Sequence, residues 1–377
     1  MIVWATTAPI AAFIASDVVQ TIFTGPVPSR GELGSSSTAG SRATPWPVCP
    51  RHAGAMPRRP RIPPAAALRG AVRLSDADTL GLTRDELSSP RWHRFGPGVR
   101  AHGSLDPSDP DVRIAAWLQT LPAGAVLGGW ASLHLQGVPW QDGKTGLGGR
   151  SLRPILVHVG PSGRLRQQPG LLVDRSHLPD ADVVEVRGTR VTAVTRAVFD
   201  EMCRGGTEDG MVAGDAACAV RLTSRDEMMA YVAARPRARG VPAARTAAAL
   251  LSPHVRSAPE SRLRYVWVVE AGLPSPEVNI GLADAAGIVL GEPDLLDREA
   301  GLVGEYDGAD HRTLARHTAD NAREEGFEGV NLTVVRATSV DLWPRRPALV
   351  CRVLDGRARG LARDRDRDGW WTQVRGA

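Results

Sequence analysis

Apolar residues in the last third of the chain recur with two different periods, which predicts a helix followed by strands. Helical spacing over residues 257–272 indicates an amphipathic helix. Apolar runs that end at Leu296, span 302–308 and continue through 332–336 indicate three strands. The polar stretch between the last two runs predicts a helix, so these two strands would form a β-α-β crossover. The pattern therefore predicts an α/β domain over residues 254–355.

The rest of the chain falls into four segments. Residues 1–55, rich in Gly, Ser and Pro from Gly25 onward, predict a disordered extension or a mis-assigned start. Residues 56–140 mix helical and strand patterns, and residues 141–253 predict strands followed by helices that connect the two ends. Residues 356–377, in which Arg and Asp alternate, predict a charged and solvated tail.

Carboxylates recur where the apolar runs of the last domain end. Side chains alternate along a strand, so Glu305 and Asp307 point to the same face. If the turn between Asp297 and Leu302 holds an even number of residues, Asp294 lies directly opposite Glu305. An odd loop without a bulge would place Glu305 on the other face. Clustered carboxylates of this kind suit a hard divalent ion, Mg²⁺ or Mn²⁺.

Several motifs in this region resemble a known family. They are Pro259-Glu260-Ser261-Arg262-Leu263-Arg264, Glu292-Pro293-Asp294-Leu295-Leu296, the block from Glu305 to His311, and Asp320 with Arg323. Together they resemble an uncharacterised bacterial domain family related to the very short patch repair endonuclease. That family belongs to the PD-(D/E)XK, or restriction-endonuclease-like, superfamily. The resemblance implies a mixed sheet flanked by helices.

The resemblance also implies roles for five residues. Asp294 would bind the metal at the end of the first core strand, and Glu305 would be the acidic residue of the second. Glu260 would be the helix carboxylate, Asp307 would occupy the position where the superfamily usually has lysine, and His311 would assist proton transfer. The only lysine in the chain is Lys144, so this sequence departs from the family at the third motif position.

The N-terminal region carries a second resemblance. Thr83 and Glu86 form a capping-box pattern that predicts a helix start. Residues 89–95 predict a short helix or turn leading into a strand near Val99, and residues 111–121 and 125–137 have helical spacing. This order resembles the winged-helix of AbiEi-type proteins, the antitoxin side of certain toxin and antitoxin pairs. The resemblance implies DNA contacts from Arg84, Arg91 and Arg94. Ordinary surface charge on a small helical domain is the alternative.

Composition limits the kinds of partner, metal site and cellular location that we expect. The net charge of +5 and a pI near 9.5 favour an anionic partner such as DNA, although an arginine-rich genome composition produces the same skew. The four cysteines have no C-x-x-C spacing, which argues against structural zinc and disulfides and fits a reducing cytoplasm. No run of about 20 uncharged apolar residues is present, so we expect no membrane span.

The triplet Gly143-Lys144-Thr145 resembles part of a phosphate-binding loop. The motif G-x-x-x-x-G-K-[ST] needs a glycine where this chain has Val138. The triplet therefore does not predict a loop of that type.

These observations predict a metal-dependent DNA endonuclease or nickase. The alternative is a non-catalytic, AbiEi-like DNA-binding regulator or antitoxin with a degenerate nuclease fold. The sequence is compatible with a homodimer and with a toxin partner. A third possible function is that of a protein-binding component of a defence system.

Overall fold

The computed structural model describes residues 63–68, 70–308 and 326–373. By their contacts the residues divide into two units, Met1–Pro60 and Arg61–Ala377, of which the first lies outside the described residues. The expected extension over 1–55 is therefore not described, and neither is His311. Helices and mixed sheets alternate in the second unit, and the predicted α/β class is confirmed.

Residues 65–102 form a small module with a three-stranded antiparallel sheet in the order β1-β3-β2. Its elements are α1 (Ala65–Leu68), β1 (Val72–Arg73), α2 (Arg84–Ser88), β2 (Trp92–Gly96) and β3 (Val99–His102). The predicted capping box is present, since Glu86 N–H donates to Thr83 Oγ1 at 3.1 Å and Thr83 N–H donates to Glu86 Oε2 at 2.7 Å. The short helix or turn expected up to Phe95 is wrong beyond Arg91, because Trp92–Gly96 pairs with β3 as a strand.

The next part of the chain builds a five-stranded mixed sheet in the order β8-β7-β4-β10-β9, with a separate two-stranded hairpin, β5-β6. Its elements are α3 (Pro110–Leu118), β4 (Val126–Gly128), α4 (Gly129–Leu135), β5 (Lys144–Thr145), β6 (Ser151–Leu152), β7 (Ile155–His158), β8 (Leu171–Asp174), β9 (Val183–Val186) and β10 (Thr189–Thr192). The strands predicted near 155–159 and 183–192 are confirmed.

The helix predicted over 125–137 is correct only in its second half. Strand β4 pairs with β7 on one side and β10 on the other, and α4 begins at Gly129. Gly129 has φ +54°, a left-handed conformation that favours glycine, and a Cβ there would collide with the carboxylate of Glu201. That carboxylate accepts the N–H of Trp130 at 2.7 Å. The strand-to-helix switch therefore depends on a buried acid distant in sequence.

A helical layer follows and leads into the C-terminal part. It consists of α5 (Val194–Arg204), α6 (Gly206–Ala219), α7 (Arg225–Ala233), α8 (Val241–Ala249) and α9 (Ala258–Tyr265). The carboxylate of Asp215 on α6 is completely buried and accepts hydrogen bonds from Arg264 at 2.6 Å and from Ser261 at 2.7 Å, both on α9. This buried ion pair joins the helical layer to the helix that covers the C-terminal sheet.

The C-terminal part contains a four-stranded sheet, β11-β14-β15-β16, and a three-stranded sheet, β13-β12-β17. Its elements are β11 (Glu277–Val278), β12 (Leu282–Asp284), β13 (Val289–Gly291), β14 (Leu295–Asp297), β15 (Leu302–Tyr306), β16 (Thr333–Ala337), α10 (Ser339–Leu342), α11 (Arg346–Leu361) and β17 (Trp370–Thr372). Strands β15 and β16 are parallel, as the predicted crossover requires.

Both faces of the four-stranded sheet are covered. Leu295 and Leu302 pack on one face in a cluster that includes Trp267 of the turn after α9. Leu296 and Val303 pack on the opposite face with Phe327. The alternation of these neighbours between two clusters shows which face each residue of β14 and β15 presents.

Much of the region expected to be a charged tail is part of the fold. Helix α11 continues to Leu361, and Trp370–Thr372 pairs antiparallel with β12. Arg363 lies between these elements and makes an ion pair with Asp368 at 2.8 Å. The solvated-tail expectation is therefore wrong for residues 356–361 and 370–372, which form a helix and a strand, whereas residues 364–367 are exposed as expected.

Within the described part of the chain, no helix has the length and apolar character needed to cross a lipid bilayer.

Asp215→Asn is expected to lower the free energy of unfolding by about 3 kcal/mol, because it leaves the buried guanidinium of Arg264 without a counter-charge. Urea denaturation followed by circular dichroism measures this change. Asp355→Asn, a change of the same chemistry at an exposed position of α11, should stay within about 0.5 kcal/mol of the wild type. Equal effects of the two substitutions would contradict the importance assigned to the buried pair.

Candidate functional site

The register of the β14-β15 hairpin brings Asp294 opposite Glu305. Leu295 pairs with Gly304 and Asp297 pairs with Leu302, which leaves residues 298–301 as the connection. The loop therefore has four residues, an even number, which is the condition for Asp294 and Glu305 to share a face. Extending the register by one residue beyond Leu295 and Gly304 places Asp294 across from Glu305. Directly opposed residues of antiparallel strands have Cβ atoms about 5 Å apart and share a face.

The family resemblance implied that Asp294 ends the first core strand, and the structure contradicts this. Asp294 precedes β14, and the strand before it, β13, belongs to the other sheet. The position beside Glu305 is retained because the beginning of one antiparallel strand lies beside the end of its partner.

The register continues across the whole sheet and defines a line of four residues. Val278 pairs with Leu295, so Asn279 follows beside Asp294, and Glu305 pairs directly with Arg336 on β16. We call Asn279, Asp294, Glu305 and Arg336 the transverse row. Two carboxylates thus lie between an amide and a guanidinium at one level of the sheet.

Asp294 is held by the backbone of the neighbouring strand. The N–H of Tyr306 donates to Asp294 Oδ2 at 2.7 Å. Both Asp294 and Glu305 are partly exposed. Solvent therefore reaches this pair of carboxylates, and the backbone donor orients one of them.

Glu260 joins this arrangement through Asn279. Its Oε2 accepts the N–H of Arg256 and the side-chain amide of Asn279, both at 2.9 Å, and Glu260 itself is 8% exposed. Asn279 has φ +49°, and its own N–H donates to the carbonyl of Asp294 at 3.1 Å. The left-handed backbone therefore directs the amide of Asn279 toward α9 and ties Glu260 to the start of β14.

Asp307 lies just past the end of β15. Its N–H donates to the carbonyl of Ala337 at 2.7 Å, so the parallel ladder with β16 extends to this residue. By alternation, Asp307 is on the same side of the sheet as Glu305. His311, Asp320 and Arg323 lie outside the described residues.

Sequence reasoning missed Asn279 and Arg336. Arg336 is the only charged residue in a strand that is otherwise apolar or neutral, and this isolated charge was the one signal in the sequence. Asn279 offered no signal, because neither its left-handed φ nor its contact with Glu260 follows from the local pattern.

The two facing acids fit Mg²⁺ or Mn²⁺ as oxygen ligands. Mg²⁺ usually keeps several waters and is held by one or two carboxylates together with substrate phosphates. Among residues 63–68, 70–308 and 326–373, no three His, Cys, Asp or Glu side chains converge into a metal-binding group. Asp294 and Glu305 are therefore the candidate ligand pair, with Arg336 as an adjacent cation.

Two of the described cysteines, Cys203 and Cys218, are poor nucleophiles. Burial raises the pKa of the Cys203 thiol to about 11 and that of the Cys218 thiol to about 12. Both therefore stay protonated near neutral pH, where the reactive thiolate is scarce.

The three arginines expected to contact DNA are all exposed. Arg84 opens α2, Arg91 lies in the turn before β2, and Arg94 is on β2 itself. Arg91 and Arg94 therefore do not lie on a helix, contrary to the expectation of a helix presenting them. Within the described segments none of the three forms an ion pair, so their charges can interact with an anionic partner.

Comparison with known proteins gives no match: no protein-family model, no curated protein and no solved structure matches this chain.

Asn279→Ala is expected to lower the free energy of unfolding by about 2–3 kcal/mol. The substitution removes the amide hydrogen bonds to Glu260 and to the carbonyl of His254, each of 2.9 Å, and alanine is strained at positive φ. Asn279→Gly removes the same amide without the strain and should cost about 1 kcal/mol less. Urea denaturation of both variants gives the comparison. If the alanine variant is as stable as the glycine variant, the left-handed backbone at Asn279 is not important for stability.

Proposed function

We propose that this protein is a metal-dependent DNA endonuclease or nickase whose active site is centred on the transverse row. The observation that carries the proposal is the hairpin register, which sets Asp294 directly opposite Glu305. This register brings together the two acids that the family resemblance assigns to the metal. Mg²⁺ or Mn²⁺ bound by this pair would supply a Lewis acid for the phosphodiester.

The chain's own residues have separate tasks in this proposal. Asp294 is kept in place by the N–H of Tyr306, so its orientation does not depend on the ligand. Arg336 beside Glu305 is suited to contact a non-bridging phosphate oxygen and to stabilise charge where lysine is absent. Glu260 is a positioning residue, because it acts on Asp294 through Asn279. Asp307, at the position where the superfamily usually has lysine, and His311, expected to assist proton transfer, keep the roles that the family resemblance implies as expectations.

The N-terminal module would supply duplex affinity. Arg84, Arg91 and Arg94 are exposed around one short helix and the adjoining hairpin. Arginines in this situation contact phosphates and position a protein on DNA without reading its sequence. The module would thereby bring the phosphodiester to the C-terminal sheet.

One observation favours the alternative, a non-catalytic DNA-binding regulator. Arg336 is directly adjacent to Glu305 in the ladder, and an arginine there can neutralise the acid instead of assisting a metal. In that case the sheet would be a scaffold, and the arginines of the N-terminal module would account for the whole activity.

Asp294→Asn and Glu305→Gln are each expected to reduce plasmid nicking in the presence of Mg²⁺ or Mn²⁺ by about 100-fold or more, because each removes one charged oxygen ligand. Glu292→Gln, a nearby exposed carboxylate, is the matched control and should nick like the wild type. Calorimetric titration with Mn²⁺ gives a second readout, in which both site variants should lose the binding heat. Nicking that is equal in all four proteins would exclude this site, and duplex binding without cleavage would favour the regulator.

Replacing Arg84, Arg91 and Arg94 together by glutamine should lower the slope of log affinity for duplex DNA against log salt by about 2–3, because each arginine is expected to neutralise roughly one phosphate. Fluorescence anisotropy over a salt series measures the slope. A control triple variant at exposed arginines elsewhere, Arg225, Arg345 and Arg359, should leave it unchanged. If both triple variants change the slope equally, affinity comes from net charge and not from this module.

A further inference from the structure

A cleft of about 420 Å³ lies between the β5-β6 hairpin and the end of β15. Its lining includes cations, two acids, aromatic rings and small residues of the hairpin. The cations are Lys144, Arg153 and Arg262, the acids are Asp142 and Asp209, and the rings are those of Trp130, Trp140, Tyr306 and Trp343. Tyr306 follows Glu305 on β15 and packs on the face covered by Trp267, so the cleft opens on the face of the sheet opposite to Asp294 and Glu305. Its volume is within the roughly 300–1,000 Å³ of ligand pockets in proteins.

Lys144 is the cation of this cleft that makes no ion pair within the described segments, and it interacts electrostatically with the exposed carboxylate of Asp106. Arg153 makes ion pairs with Glu201 and Asp209, and Arg262 makes ion pairs with Glu208 at 2.7 Å and with Asp209 at 2.9 Å. Burial alone would lower the pKa of Arg153, but Glu201 and Asp209 outweigh it and raise that pKa. Within the described segments the ammonium of Lys144 has no ion pair or hydrogen bond. One cation that can accept a ligand therefore lies beside two arginines that are held in position.

The hairpin that carries Lys144 is anchored at its base. The carbonyl of Gly143 accepts the N–H of Arg153 at 2.9 Å and the guanidinium of Arg113 at 3.1 Å. Gly143 has φ +68°, and a Cβ there would lie 2.5 Å from the indole ring of Trp130. The backbone before Lys144 thus packs directly against a buried ring, which fixes where the ammonium emerges.

Aromatic rings also line the cleft. Trp343 is partly exposed and has the guanidinium of Arg262 at 4.9 Å from its ring centroid. Nucleobases stack on aromatic and guanidinium planes, and cations beside such planes bind the phosphates that accompany each base. An apolar ligand would leave Lys144 unpaired, and a purely anionic one would leave the rings unused.

We infer that this cleft binds a nucleoside phosphate unit, with Lys144 on the phosphate and the base stacked against Trp343 or Tyr306. The unit can come from a single-stranded segment of nucleic acid or from a free nucleotide. The inference goes beyond the proposed function, because binding here does not require Asp294 and Glu305 to be catalytic. It also does not restore the phosphate-binding loop, since Val138 still occupies the position of its first glycine.

Lys144 is the only lysine of the chain, so amine-selective acetylation of its peptide reports on this cleft, and mass spectrometry separates that peptide from the one carrying the N-terminal amine. A short oligo(dT) strand, added with EDTA to prevent cleavage, should slow acetylation of Lys144 about fivefold or more. Thymidine monophosphate in a parallel reaction distinguishes the sources. Protection by the strand alone indicates nucleic acid, and protection by the mononucleotide at similar concentration indicates a free nucleotide. Unchanged acetylation with both probes would overturn the inference.

Variants test the same site by affinity for fluorescein-labelled oligo(dT). Lys144→Gln should weaken binding about fivefold, whereas Arg150→Gln, the same change of charge in the same hairpin but outside the cleft, should change it less than about twofold. Trp343→Leu should weaken binding about tenfold because it removes a stacking surface. Wild-type binding should persist in EDTA, which removes the divalent metal that the proposed nuclease needs, and this separates the inference from that activity. Equal weakening by Lys144→Gln and Arg150→Gln would overturn the inference even if nicking is confirmed.

Discussion

The hydrogen bond from the backbone N–H of Tyr306 to the carboxylate of Asp294 is the interaction on which the candidate site depends. It forms because the β14-β15 loop has an even number of residues. This loop length places Asp294 and Glu305 opposite each other on one face of the sheet. A slip of one residue would turn Glu305 toward the face covered by Trp267 and separate the acids. Burial of Leu295 and Leu302 on that face, and of Leu296 and Val303 on the other, opposes such a slip.

The helical layer influences the same site through α9. The buried pair of Asp215 and Arg264 fixes this helix to α6, and Glu260 one turn earlier binds the amide of Asn279. The start of β14 is therefore connected to the middle of the chain by polar contacts that are costly to break when buried. The cleft around Lys144 lies along the same junction, with α9 contributing Arg262 to its lining.

The sequence predicted those features that local patterns determine. The capping box at Thr83 and the alternation of β15 follow from neighbours in the chain, whereas the sequence left open whether the loop before β15 is even or odd. Features set by distant partners were not predictable in this way. Gly129 begins a helix because Glu201 caps Trp130, and Trp370 belongs to a strand because β12 offers an open edge. Asn279 adopts a left-handed φ for its contact with Glu260, and the position of Asp294 before its strand follows from pairing of the whole sheet.

The central claim is that Asp294 and Glu305 bind one cation together. Anomalous diffraction from crystals soaked in Mn²⁺ tests it most directly, since the scattering of manganese locates the ion independently of the protein. The account predicts one peak between these two carboxylates, within ligand distance of both. Crystals in which manganese avoids both acids, while Glu305 pairs with Arg336, would contradict it.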